Sequence, residues 1–198
     1  FAPEWLAVPS PGLRRWVLLQ LARRLGATPG RGDGVAANVV PAFPGLLRLE
    51  LLESGQPPGA VDPWRAERLT WAVLQALAAG EGEPRLGPLA AADAPGSRFG
   101  RARRAAGLFD RYHLHRPGMV RAWHAGRDVD AVGHPLPQSA RWQPVLWREV
   151  RAVLGTPSPA ERLPALLTGV RAGEVPLDLP GRLVFVGVAN LPGGAEFL

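Results

Sequence analysis

The chain contains no cysteine and no lysine. Without cysteine there are no disulfides and no thiolate-ligated zinc, which fits a cytoplasmic protein. Without lysine, no phosphate-binding loop of the GxxxxGK[ST] type exists within these residues. No apolar run is long enough to span a bilayer, and nothing resembles a signal peptide, so no membrane partner is expected. GxSxG and HExxH are missing too, which removes two hydrolase signatures.

What the chain does have is arginine. All 23 cationic residues are of that type, against 17 acids, for a net charge of +6. Part of this follows the Ala, Gly and Pro bias of a GC-rich coding sequence. Arginine still supplies planar forked donors and a stacking face that lysine lacks. Such a surface favours polyanions, with nucleic acid first and an acidic protein partner second. The chain opens on Phe1 and closes on GGAEFL, which reads as the start of a helix, so a fragment of something longer is the expectation.

Trp5–Val8 is a short apolar run stopped by Pro9-Ser10-Pro11-Gly12, and Leu13, Val17, Leu21 and Leu25 then repeat at helical spacing. Strand, loop and helix in this order open a βα unit. Ser10 stands where its hydroxyl and the first-turn amides could hold an anion. Arg14 and Arg15 sit in that first turn against the helix dipole, so either a phosphate or a nearby carboxylate should compensate them. Val35–Val40 reads as a short buried strand or extended segment, with Pro41, Pro44 and Gly45 turning the chain, and Leu46–Leu52 as a short apolar helix or turn. A helix is expected over 63–79, capped by Asp62, with Trp64 and Trp71 on its buried side. Helices follow over 97–113, 142–154 and 160–170. Leu183–Val188, LVFVGV, reads as a strand buried on both faces of a parallel sheet. The expected fold class is therefore α/β, with a large helical insertion.

The stretch AGLFDRYHLHRP at 106–117 concentrates the chemistry. On a helix, Ala102, Ala105, Leu108, Phe109 and Tyr112 share one side, with Arg103, Arg104, Asp110 and Arg111 opposite. Arg116 precedes a proline and should leave the helix in an extended conformation. A solvated surface face explains the same pattern, so periodicity alone does not decide. His113 and His115 point apart on a helix, and with His124 and His134 they make no metal-ligand spacing. The tryptophans sit among Leu and Val at helical spacing and read as core rather than as stacking platforms. No catalytic constellation emerges.

Six stretches, in order along the chain, carry a resemblance: VPSPGLRRW (8–16), GVAANVVPAFPGLL (34–47), RLTWAVL (68–74), AAGLFDRYHLHRP (105–117), RWQPVLWREV (141–150) and GRLVFVGVANLP (181–192). Together they resemble the N-terminal helicase-like region of the RecC family, the gamma subunit of exonuclease V. The resemblance implies a partial P-loop-NTPase-like (superfamily 1 helicase-like) parallel sheet that has lost its ATPase residues. Its core would be formed by 1–50 and 176–198, with 51–175 as the helical insertion. It implies a non-catalytic subunit in double-strand-break repair and homologous recombination. The partners would be single-stranded or forked DNA and RecB-like and RecD-like subunits. No cofactor is implied in this fragment, since ATP and Mg are used by the partner subunits.

The family's strand-binding residues carry over where motifs match: Ser10, Arg14 and Arg15 in the loop, then Phe43 and Leu49 as apolar neighbours of the strand. Leu108, Asp110, Arg111 and Arg116 fall in the segment implied to form the Chi-reading tunnel, and Arg162 is a further basic channel residue. Pro9, Pro11, Arg15, Leu49 and Gly107 depart from well-studied members. More arginine and fewer polar groups favour phosphate contact over base reading, so recognition of the familiar Chi sequence is not expected. A pure scaffold that meets the motor subunits without binding DNA is the other expectation. An AddB-type subunit is an alternative within the same superfamily.

Overall fold

The computed structural model describes residues 2–43, 52, 56, 59–91, 96–176 and 180–188. The chain divides into two compact units, one formed by Phe1–Gln56 and Gly169–Leu198 and the other by Pro57–Thr168. No helix among the described residues is long and apolar enough to cross a membrane.

The first unit is built on three short parallel strands. β1 (Glu4–Ala7) lies between β2 (Val39–Ala42) and β3 (Leu183–Phe185), and α1 (Pro11–Ala22) follows β1 directly. Trp5 pairs with both Val40 and Leu183, and Leu6 with Pro41 and Val184. The βαβ connection that parallel pairing requires is thus supplied by α1. Ser10 caps that helix, its hydroxyl accepting from the Leu13 amide at 3.2 Å, and Pro11 sits at the first helical position, where no donor is lost. Leu6, Val8 and Val17 form the buried cluster, with Leu13, Leu21, Val39, Val184 and Val186 packed around it.

Two strand expectations need correction. β2 begins at Val39, not Val35, because Asn38 takes a left-handed conformation (φ 59) that no strand tolerates. Pro41, expected to turn the chain, lies inside this strand. The Glu4 and Val8 amides donate to the carbonyls of Asn38 and Ala42, so residue 41 faces away from β1 and its missing N–H costs no ladder bond. β3 is also shorter than LVFVGV. It is an edge strand with Phe185 50% exposed, not one buried on both faces. Gly187 ends it at φ 64, and a Cβ there would stand 2.6 Å from Leu13 Cδ2. Leu46–Leu51, most of the short helix expected at 46–52, lies outside the described residues.

The second unit is helical. Its elements are α2 (Ala66–Ala79), α3 (Gly87–Ala90), α4 (Arg98–His115), α5 (Pro117–His124) and α6 (Trp142–Leu154), with α7 (Pro159–Arg171) beginning here. Trp64, Trp123, Trp147 and Phe109 are fully buried, packed among Leu69, Val73, Leu77, Val120, Leu146 and Val150. Each buried indole N–H is satisfied: Trp64 by the Thr156 carbonyl at 3.1 Å, Trp123 by Val129 at 2.8 Å, and Trp147 by His113 Nε2 at 3.2 Å. Large rings with their polar atoms paired contribute the full benefit of burial.

Helix ends follow the sequence closely. Ser97 caps α4 by accepting from the Gly100 amide, and Gly155 ends α6 in the left-handed region. Ser158 and Glu161 form a reciprocal capping box at the start of α7, each side chain accepting from the other's amide. The helix expected at 63–79 starts at Ala66, because the Asp62 carboxylate accepts from the Trp64 amide and closes a turn instead. Trp64 is therefore off the helix, and its phase says nothing about Trp71, which is 63% exposed rather than buried. His115 extends α4 two residues beyond expectation, and Pro117–His124 forms a further helix directly after Arg116.

Candidate nucleic-acid interface

α4 is the arginine-rich element. Its buried stripe is Arg101, Ala102, Ala105, Ala106, Phe109 and His113, and the small alanines let it pack tightly under α2. Arg103, Arg104, Asp110, Arg111, His115 and Arg116 lie on its exposed side. Among the described residues no carboxylate pairs with Arg103, Arg104, Arg111 or Arg116. An unpaired guanidinium row on a rigid helix favours an anionic partner.

Leu108 and Tyr112 are half-buried on the flanks of this helix. The Tyr112 hydroxyl donates to Gln143 Oε1 at 2.9 Å, and the Arg116 guanidinium lies 5.4 Å from the Tyr112 ring centroid. Arg116 is the C-cap of α4 and the N-cap of α5, with φ −140 and ψ 47, so it leaves the helical region as the following proline demands. Its head group is thus held by a cation–π contact on an anchored ring.

Beside α4 runs an open hollow of about 410 Å³, lined among others by Leu89, Arg104, Leu108, Arg111 and Trp142. A second, of about 920 Å³, lies across Leu89 and Trp142, with Arg85, Gln138 and Ser139 on its far side. Among the described residues no acid lines either hollow. Arg85 is occupied: Glu83 accepts from its Nε at 2.9 Å, and Asp128 stands 3.8 Å from Nη1. The Arg85 hydrogen bond holds the Glu83 carboxyl below its ordinary range and raises the Arg85 guanidinium.

The expected site residues therefore fall into separate groups. Leu108, Asp110, Arg111 and Arg116 share the C-terminal half of α4, and Leu108 and Arg111 line one hollow. Ser10, Arg14 and Arg15 share the first turn of α1. Both arginines are exposed and border a shallow groove with Leu18, Leu19 and Val35. No carboxylate among the described residues compensates them. Ser10 spends its acceptor capacity partly on the helix cap. Phe43 is half-buried just after β2, and Leu49 lies outside the described residues. Arg162 joins neither group. It is ion-paired through Nη2 with Asp62 Oδ2, both largely buried, and so ties α7 to the turn ahead of α2.

Two residues escaped the sequence reading. Arg101 is buried and donates to the Leu89 and Ala91 carbonyls at 2.7 and 2.8 Å and to the Gly96 carbonyl, clamping the connection ahead of α4. Its place on the alanine stripe was the available signal, since a charge on an apolar face needs partners. Trp142 opens α6 and walls both hollows. Nothing in its spacing separates it from the buried tryptophans.

Comparison with known proteins agrees along the whole length. The family model described as RecC, N-terminal domain, matches residues 1–195. The RecBCD enzyme subunit RecC of Mycobacterium tuberculosis (strain H37Rv) is 36% identical over 203 residues, covering 96% of this chain and 18% of that protein. The same subunit of Mycolicibacterium smegmatis is 30% identical over 97% of this chain and 16% of its own length. That of Escherichia coli (strain K12) is 25% identical over 97% of this chain and 17% of its own length. The chain thus spans less than a fifth of the curated relatives it matches, and it belongs to the RecC family, as the N-terminal region of such a protein.

Proposed function

We propose that this region is a non-catalytic DNA-handling part of a RecBCD-type enzyme of double-strand-break repair and recombination, and that it holds the 3′-ended single strand. The observation that carries the reading is the set of exposed arginines on α4, Arg103, Arg104, Arg111 and Arg116, none paired with a carboxylate among the described residues, two of which, Arg104 and Arg111, line one hollow. Guanidinium forks on phosphates give affinity without sequence information. Strand holding without Chi reading is accordingly the function these residues favour. The parallel β2-β1-β3 sheet with α1 after β1 supports descent from a helicase-like nucleotide-binding core. The missing lysine supports loss of its ATPase, so ATP and Mg²⁺ belong to RecB-like and RecD-like partners.

Salt titration of single-strand binding tests this. Each phosphate neutralised contributes about −0.7 to the slope of log affinity against log salt. Replacing Arg111 and Arg116 together by Ala should flatten the slope by about 1.4, two phosphates' worth. An unchanged slope removes the pair from the strand path.

A scaffold role is the second reading, favoured by a different observation. In the sheet unit, Trp16, Leu19, Leu25 and Val35 are 57%, 50%, 47% and 67% exposed, a large apolar surface for so small a unit. A chain that binds no single strand at low salt yet co-purifies with RecB-like or RecD-like subunits would establish that role instead.

A further inference from the structure

We propose that Trp142 is a base-stacking platform, with Arg104 and Arg111 holding the phosphates beside it, so that a nucleotide of the single strand seats in the hollow these three residues share. The inference rests on the strand-handling reading above and adds to it the residue that meets the base.

Trp142 differs from the core tryptophans in two ways. Trp64, Trp123 and Trp147 are fully buried with their indole N–H groups bonded, whereas Trp142 is half-exposed. Its indole N–H has no protein partner among the described residues. It also stands at the first position of α6, where the backbone is held by the helix and the ring has a fixed base. A large planar surface that is anchored, half-wet and left with a free donor is what a stacking nucleobase needs.

The surroundings complete the complement. Arg104 and Arg111 lie two turns apart on one helix, roughly 10 Å along its axis, with Leu108 between them. They therefore meet different phosphates while the apolar floor of Leu89 and Leu108 receives the base and sugar. Gln138 and Ser139 line the neighbouring hollow that Trp142 also borders and add neutral polar groups there. An acidic peptide would satisfy the arginines but leave the indole face unused.

Two labelled probes separate these contributions: a twelve-nucleotide thymidine strand and an abasic strand of the same length, titrated against the full chain from low to physiological salt. Trp142→Leu should weaken the thymidine strand roughly tenfold, leave the abasic strand unchanged and keep the salt slope. Arg104→Ala should lower the slope by about 0.7 for both probes. Trp142→Phe should retain most of the affinity, and it carries the test if Trp142→Leu does not fold, through a loss confined to the base-bearing probe. Equal effects of the Trp142 variants on both probes, or none on either, overturn the platform alone. A wild-type chain that binds neither probe overturns the strand-handling reading as well. Competition by polyglutamate as effective as by the thymidine strand overturns the proposal in favour of an acidic peptide.

Discussion

In the helical unit, three tryptophans and a phenylalanine are sealed from solvent with every indole N–H paired. In the sheet unit, the buried cluster among the described residues is Leu6, Val8 and Val17, and Trp16, Leu19 and Val35 face water. The sealed unit closes its own core. The sheet unit, with short edge strands on both sides of β1 among the described residues, leaves large apolar side chains exposed. The arginines follow the same division. In the helical unit Arg101, Arg148, Arg151 and Arg162 are spent on carbonyls and carboxylates inside the fold, while Arg103, Arg104, Arg111 and Arg116 have no carboxylate partner among the described residues.

The largest expected effect tests the sealed core. Trp147→Ala should cost about 3–5 kcal/mol, against about 2 kcal/mol for Leu6→Ala in the sheet unit, both read from denaturant midpoints. Equal costs would erase the contrast between the units. Arg101→Met comes next, at about 2–3 kcal/mol, because three carbonyls lose their donor. A neutral result would mean that water replaces the guanidinium at no cost. Among the caps, Ser158→Ala should cost about 2 kcal/mol, since the serine is buried and reciprocated by Glu161, and Ser10→Ala only about 0.5 kcal/mol at an exposed helix end. Thermal melts of the two variants rank them.

The smallest effect is a local one with acid. The Asp33 carboxyl accepts from the Thr28 amide and hydroxyl, both at 2.8 Å, and these bonds hold it below its ordinary value of 3.8. A depressed carboxyl stabilises the fold above its unfolded pKa and loses that contribution as pH falls through the folded one. The 28–33 turn should stay closed at neutral pH and open only below about pH 3.8, seen as faster exchange of the Thr28 amide. Opening at higher pH would contradict the geometry.

Much of this was legible in the residues. The helix after Pro11 and the one over 142–154 follow from local spacing, and both stand where the residues place them. Asn38 and Pro41 were misread because a strand boundary there depends on one left-handed residue and on which side of the sheet is the edge. Trp71 and Trp142 look identical to buried tryptophans in sequence, because exposure is decided by neighbours from other helices. Helical spacing sets Leu108 and Arg111 on opposite sides, yet both line one hollow, because Leu108 lies at the margin of the buried stripe; the Arg162–Asp62 pair joins residues far apart in the chain and carries no local signal.

Arg116 is the whole of the joint between α4 and α5. Such a hinge has no slack. One residue added or removed there would change the direction and phase of α5 and break the edge-to-face contact of Tyr112 with Trp123, whose ring centroids stand 5.7 Å apart. The position works as a phase lock: side chains on either side of it can vary in kind, while the number of residues between Tyr112 and Trp123 cannot.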